Sequence, residues 1–266
     1  MDMDFILALA KAATSQPEPE PEPEAAALRF TLPERAAGTA LVVTCHLDKA
    51  VGIGGVAWQA CLPLSHAMAV DSQLFSGWGG ARVLELGCGT GLCGLSAWLL
   101  GARDVVLTDA ADCGPLIQRS IRDTRAAAAA DGRAEASGTI AYAPLRWGEQ
   151  PLPEAATGVF DIVLGSDLTY NTDDHALLLA TLLTVCSAAE AGGGATTVVL
   201  AHQHRPLSAT VPEDPLPSFI ASASALGFSV TEPQELPAAP PELYDGGHDV
   251  PSIDQPVSAI VLTLEG

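Results

Sequence analysis

The chain has 266 residues, 48% of them hydrophobic and 17% charged, and a formal charge of −20. That length suits one generous domain with a small accessory segment, and the apolar content is enough for a large core. The acidity argues against a binder that tracks nucleic-acid phosphates, because such contacts come mostly from Lys and Arg, and no apolar run approaches the roughly 20 residues that cross a bilayer.

The opening Met1-Asp2-Met3-Asp4 is acidic, whereas a secretory leader starts basic. Six cysteines (Cys45, Cys61, Cys88, Cys93, Cys113, Cys186) are scattered without a CxxC pair and read as small buried thiols of a reducing compartment. The expected setting is cytoplasmic, with no membrane or nucleic-acid partner, and the chain is expected to act as a monomer. Its charge is compatible with a basic protein or peptide partner.

Residues 1–13 read as a short amphipathic helix. The alternating Pro-Glu run 16–24 cannot bury apolar surface, and its like charges extend it, so it reads as a disordered linker. Residues 1–27 are therefore taken as an extension and 28–266 as one domain. That domain opens with two strand-like pieces, 28–32 and 40–46. After a turn region, 58–68 reads as a helix with Pro63 as a kink or in its first turn.

Strand and helix then alternate. Strands are expected at 82–86, 105–108, 139–143, 160–165 and 196–201, with helices at 92–100, 116–130 and 174–191. Near-continuous apolar strands with helices between them predict a mostly parallel α/β sheet covered on both faces. A helix at 219–226, a strand at 228–230, a proline-rich excursion over 232–256 and a last alternating strand at 257–264 predict an antiparallel pair at the sheet's end. His202 and His204 form a His-x-His without a nearby cysteine or a second pair, and read as a loop after a strand; no metal is expected.

The stretch Val83-Leu84-Glu85-Leu86-Gly87-Cys88-Gly89-Thr90-Gly91 organises the domain. It reads as a strand running into a tight glycine turn ahead of a helix whose first N–H groups suit a polar or anionic ligand group. Glu85 is expected at the mouth of the turn, since an unpaired buried charge is costly. Gly89 to Gly94 formally satisfies the dinucleotide pattern GxGxxG, with Asp109 placed for a ribose. The turn begins earlier, however, with an acid before its first glycine, as in enzymes that use S-adenosylmethionine. Asp109 ends the second strand of the unit, where a carboxylate can receive both ribose hydroxyls of either cofactor.

Four separated signals appear in order: Gly55-Val56-Ala57-Trp58, the glycine loop with Asp109, Leu145-Arg146-Trp147-Gly148, and Phe160-Asp161-Ile162-Val163-Leu164-Gly165-Ser166-Asp167-Leu168-Thr169-Tyr170. With these the chain from about Leu28 onward resembles the class I, seven-strand methyltransferases, and specifically the methyltransferase-like protein-lysine branch known as family 16. The resemblance implies a Rossmann-like sheet of seven mostly parallel strands, helices on both faces and an antiparallel C-terminal strand. It implies S-adenosylmethionine as cofactor and a protein lysine as methyl acceptor.

Residue by residue, the resemblance places Trp58 beside the cofactor. It gives Glu85 the task of organising the loop and sets Gly87, Cys88 and Gly89 backbone against the methionine and ribose portions. Asp109 would hold the ribose, Trp147 would lie on the adenine, and Ser166 would contribute backbone nearby. Asp167 and Tyr170 would face the acceptor, the first orienting the amine and the second walling its pocket, while water removes the proton. Two stretches depart from the family pattern: Gln118–Thr124, where asparagines are common, and Ala201–Arg205, a loose match to a basic loop. The rival readings are transfer to a histidine or small molecule, an inactive cofactor-binding interaction protein, and a nicotinamide-dependent oxidoreductase.

Overall fold

The computed structural model describes residues 26–33, 40–71, 74–75, 78–130, 138–192, 194–205, 213–245 and 255–265. The helix expected over 1–13 and the linker 16–24 lie outside the described residues.

Five strands run parallel in the central sheet: β3 (Arg82–Glu85), β4 (Asp104–Asp109), β5 (Thr139–Pro144), β6 (Ile162–Ser166) and β7 (Thr197–Gln203). β11 (Val257–Leu264) lies antiparallel to β7, and β8 (Phe228–Val230) and β9 (Gln234–Leu236) share its outer edge. The order is β5-β4-β3-β6-β7-β11-β8, with β9 beside β11 off this path. The sheet therefore carries seven strands in line, as the sequence pattern predicts, and one more that it does not. The register sets Glu85 between Leu107 and Leu164, and Ser166 beside Ala201.

The unbroken apolar strands have a direct structural reading. Val83, Val105, Leu107, Leu164 and Val199 point into one core. Their neighbours Leu84, Val106, Val163, Val198 and Leu200 point into a second core on the opposite face. Both faces are thus buried, which alternating polar residues would forbid. The first core is closed by α1 (Cys61–Val70), α2 (Leu92–Leu99) and α3 (Gly114–Ala130). The second is closed by α4 (His175–Ala191) and α5 (Leu216–Ala225). None of the described helices is long and apolar enough to cross a membrane, and all six cysteines are buried and outside any disulfide.

α1 begins at Cys61, later than the 58–68 expected. Pro63 therefore sits in its first turn, where a missing N–H costs nothing, and Trp58 is left in the segment before the helix.

The expected N-terminal strand pair is present as β1 (Ala27–Leu32) and β2 (Leu41–His46). It belongs to a three-stranded antiparallel sheet, completed by β10 (Tyr244–Asp245) from the proline-rich excursion. Leu28, Phe30, Val43 and Cys45 face the first core. The outer edge of β2 is sealed by α3: the Thr44 N–H donates to Thr124 Oγ1 at 3.0 Å and the His46 N–H to Ser120 Oγ at 2.9 Å. Edge amides satisfied by a helix's hydroxyls cannot recruit another strand. Both hydroxyls lie within the stretch that departs from the family's asparagines.

Candidate functional site

The parallel strands all end on one edge. Between β3 and β6 the strand order reverses, and crevices form at such a point. β3 delivers Glu85 and the glycine loop there, β4 ends on Asp109, β6 ends on Ser166, and β7 on Gln203.

The loop is fixed by its own backbone. Gly87 and Gly89 have φ of 53° and 52°, where a side chain is strained. A Cβ on Gly87 would lie 2.7 Å from Leu168 Cδ2 and 3.0 Å from Trp147 Cζ2. The Cys88 N–H donates to Thr108 O at 2.9 Å. The Gly89 N–H donates to Asp109 Oδ2 at 2.7 Å, and Asp109 Oδ1 accepts from the Ala110 N–H at 2.7 Å. Asp109 thereby staples the loop to the end of β4; Oδ1 also accepts from the Cys113 thiol at 3.4 Å, and Oδ2 keeps one lone pair for a ligand.

Glu85 corrects an expectation. It is 2% exposed, lying behind the loop and not at its mouth. Its Oε2 accepts from the Gly94 N–H of α2 at 2.8 Å. Burial pushes the carboxyl up to about 8, against the lowering effect of that N–H, and Asp109 adds a little. One of the helix-start amides expected to face a ligand is used here instead. The GxGxxG overlap follows: a Cβ on Gly94 would stand 2.6 Å from Glu85 Oε2.

A cleft of about 470 Å³ opens over the loop. One wall is Val51, Ile53, Gly54 and Trp58; the floor is Gly87, Gly89 and Asp109, continued by Ala110, Asp112 and Cys113; the rest comes from Trp147, Ser166, Asp167, Leu168, Tyr170 and Arg205. An adjoining hollow of about 440 Å³ shares Gly87, Asp109 and Trp147, so the indole stands between the two. Of the residues singled out in the sequence, all but Glu85 and Cys88 line this cleft. Cys88 is buried beneath it, and burial holds its thiol well above the usual range. Two half-buried indoles, an acid and a side-chain-free loop fit a nucleoside-bearing cofactor.

Asp167 is the one residue other than glycine with positive φ among the described residues, at 57°. Asp tolerates that left-handed conformation better than bulkier residues do. Its N–H donates to Ala201 O at 2.7 Å, pinning the end of β6 to β7. Its carboxylate is gripped by Arg205, with Nη1 donating to Oδ1 at 2.9 Å and Nη2 to Oδ2 at 2.5 Å. The guanidinium also lies 5.4 Å from the centre of the Tyr170 ring. Desolvation raises the Tyr170 phenol above its ordinary value, with Asp174 and Asp167 adding to the effect.

Arg205 is the site residue that the sequence reading missed. Its signal was faint: a lone cation just after a strand, in the stretch that fitted the family pattern poorly.

Behind this wall lies a polar relay. Thr169 Oγ1 bonds His202 Nδ1 at 2.7 Å, and Thr169 O bonds His175 Nε2 at 3.0 Å. His202 belongs to β7 and is 1% exposed, so the His-x-His starts inside a strand and not in the loop expected. Burial lowers its affinity for a proton.

A family profile described as lysine methyltransferase matches residues 39–211. The chain is 29% identical to EEF1A lysine methyltransferase 3 of Xenopus tropicalis over 189 residues, 70% of this chain and 74% of that protein. It is 32% identical to protein N-lysine methyltransferase METTL21A of Danio rerio over 134 residues, 50% of this chain and 56% of that protein. With the METTL21A proteins the match spans just over half of their length, 56–58%. Among solved structures, a candidate transferase from Pyrococcus horikoshii shares the fold at 12% identity, with a TM-score of 0.50 over 84% of this chain and 70% of that one. The chain belongs to the lysine methyltransferase family, whose methyl donor is S-adenosylmethionine.

Proposed function

We propose that the cleft at the β3–β6 switch point holds S-adenosylmethionine, and that its Asp167–Tyr170 side receives a lysine of a protein acceptor. The observation that carries this is the division of one cleft into two chemistries. Asp109, Trp58, Trp147 and the glycine loop offer an acid and flat apolar surface on one side. Asp167, Tyr170 and Arg205 offer charge and an aromatic wall on the other. EEF1A, named in one relative, is the first acceptor to include in an assay. The working unit is a cytoplasmic monomer, with residues 1–27 outside the transferase domain.

The bound cofactor supplies an electrophilic methyl on a cationic sulfur, which leaves with its bonding electrons. The chain has to bring a neutral amine in line with it and exclude water, and such positioning provides much of the rate. Trp147 would lie against the adenine, Trp58 would flank the cofactor, and Ser166 would contribute backbone nearby. Asp167 orients the incoming amine, Tyr170 confines it, and the proton leaves through water.

The test is methyl transfer from labelled cofactor into proteins of a cell extract, with the modified residue located by mass spectrometry. Wild type should label lysine. Asp167→Asn should lose at least tenfold in rate while binding S-adenosylhomocysteine with unchanged affinity. Label found on histidine or on a small molecule would overturn the acceptor assignment, and a loss of cofactor affinity would move Asp167 to the cofactor side.

A further inference from the structure

We infer that His202, His204 and Asp214 form a binding site for a divalent transition cation of the zinc type. The three stand behind the acceptor wall and take no part in the proposed transfer. On a strand, residues two apart share a face, so the His-x-His sets both imidazoles on one side of the β7 end. Asp214, just before α5, closes over them, and the three donor groups lie within 4.8 Å of one another. The sequence shows the His-x-His but not its third ligand, an acid beside Glu213, ten residues downstream of one histidine and twelve of the other, and so leads to the expectation of no metal.

The decisive atom is His202 Nε2. It is buried and has no hydrogen-bond partner among the described residues. Asp214 Oδ1 is only 3.1 Å away but out of line for a bond. With a proton on Nε2, a buried donor goes unmet. With the proton on Nδ1, donated to Thr169, the Nε2 lone pair faces a carboxylate oxygen. Both arrangements are unfavourable. A cation between the nitrogen and the carboxylate removes the conflict in the second tautomer.

The surroundings are those of ligands held for a metal. Each imidazole has its remote nitrogen fixed by a hydroxyl: His202 Nδ1 by Thr169 Oγ1 at 2.7 Å and His204 Nε2 by Ser258 Oγ at 3.0 Å. Such outer partners set the tautomer and aim the lone pair. Two imidazoles and a carboxylate suit zinc and its neighbours in the first transition row, and leave a fourth position for water. Ligands about 2.0–2.1 Å from a tetrahedral ion stand roughly 3.3 Å apart. The His202–Asp214 distance is near this already, whereas His204 Nδ1 and Asp214 Oδ2, at 2.5 Å, would have to part slightly.

An ion here would tie the end of β7, the entry to α5 and, through Thr169, the loop carrying Asp167 and Tyr170. Its role is to position that loop.

The experiment uses the full chain without a histidine tag, stripped with chelator and titrated with zinc chloride alone and cobalt chloride alone. Calorimetry should show one equivalent bound at micromolar affinity or better. Cobalt should give the visible bands of a four-coordinate centre. Asp214→Asn and His204→Gln, each checked for wild-type melting in the stripped state, should weaken binding beyond the roughly 10–100-fold that loss of an outer partner costs. If only one of them folds, that one decides. No stoichiometric binding, or undiminished binding in the folded variant, reduces the triad to a hydrogen-bonded brace and overturns the proposal. Neither result depends on whether methyl transfer is found.

Discussion

Removing Arg205 should destabilise the protein far more than removing the charge of its partner. The Asp167 side chain is 2% exposed and that of Arg205 19%. Opposite charges about 4 Å apart attract by about 4 kcal/mol at an effective dielectric of about 20. Arg205→Ala leaves a largely buried carboxylate without its partner, a situation that costs about 3–5 kcal/mol. Asp167→Asn is different. Asn accepts the left-handed backbone, and the freed guanidinium keeps its bond to Gln203 O at 3.1 Å and can extend toward solvent. Its cost should be about 1 kcal/mol. The double variant should recover most of the Arg205→Ala loss. Urea titrations at constant slope measure all three, and melting should drop by about 2–4 °C per kcal/mol in a domain of this size. Arg205→Ala within 1 kcal/mol of wild type, or a double variant as costly as the sum of the singles, would refute the buried-pair argument.

The buried Glu85 carboxyl makes stability depend on pH in the sense opposite to a salt-bridged acid. With its value lifted from 4.5 to about 8, the folded state keeps a proton that the unfolded chain has released. Stability should therefore fall as pH rises between those values, by about 1.4 kcal/mol per unit, and level off above. Glu85→Gln has no proton to lose, so its advantage over wild type should grow between about pH 5 and pH 8 in urea titrations; a difference that stays flat with pH removes the basis for a protonated Glu85. Asp109→Ala should weaken S-adenosylhomocysteine binding by about 10–100-fold, the worth of a charge-assisted hydrogen bond, with Asp109→Asn intermediate. Calorimetry giving equal affinities for all three would exclude Asp109 from the ribose.

The parallel core was legible because its cause is local. A strand buried on both faces must be apolar at every position, and Val105-Val106-Leu107 declares that without reference to anything distant. Part of the cleft was legible for a related reason: the glycine loop, Asp109, Ser166 and Asp167 sit at or just past strand ends, and strand ends are marked by the change from apolar to glycine or acid. What escaped needed partners remote in sequence. Glu85 is buried because an amide of α2 folds back onto it, and the strand alone does not reveal that amide. Arg205 matters only once β6 and β7 are neighbours. Gln234–Leu236 and Tyr244–Asp245 are too short and too rich in polar residues and prolines nearby to advertise pairing, and became strands because β11 and β1 had open edges to fill. The helix α1 began late because an alanine- and leucine-rich run reads as helical before its true start.

The pairing of Arg29 with Asp245 carries a consequence for how the chain is made. Strand β1 is synthesised more than 200 residues ahead of β10, so one of its two edges waits for a segment made much later. Until that segment emerges, the edge is open to any passing strand, and the hydroxyls of α3 guard only the far side of β2. The small sheet is therefore a late assembly step whose rate is tied to synthesis of the chain as far as Asp245. A chain interrupted before Tyr244 would carry a complete cofactor loop and an unfinished first sheet, which is the form a chaperone would have to shield.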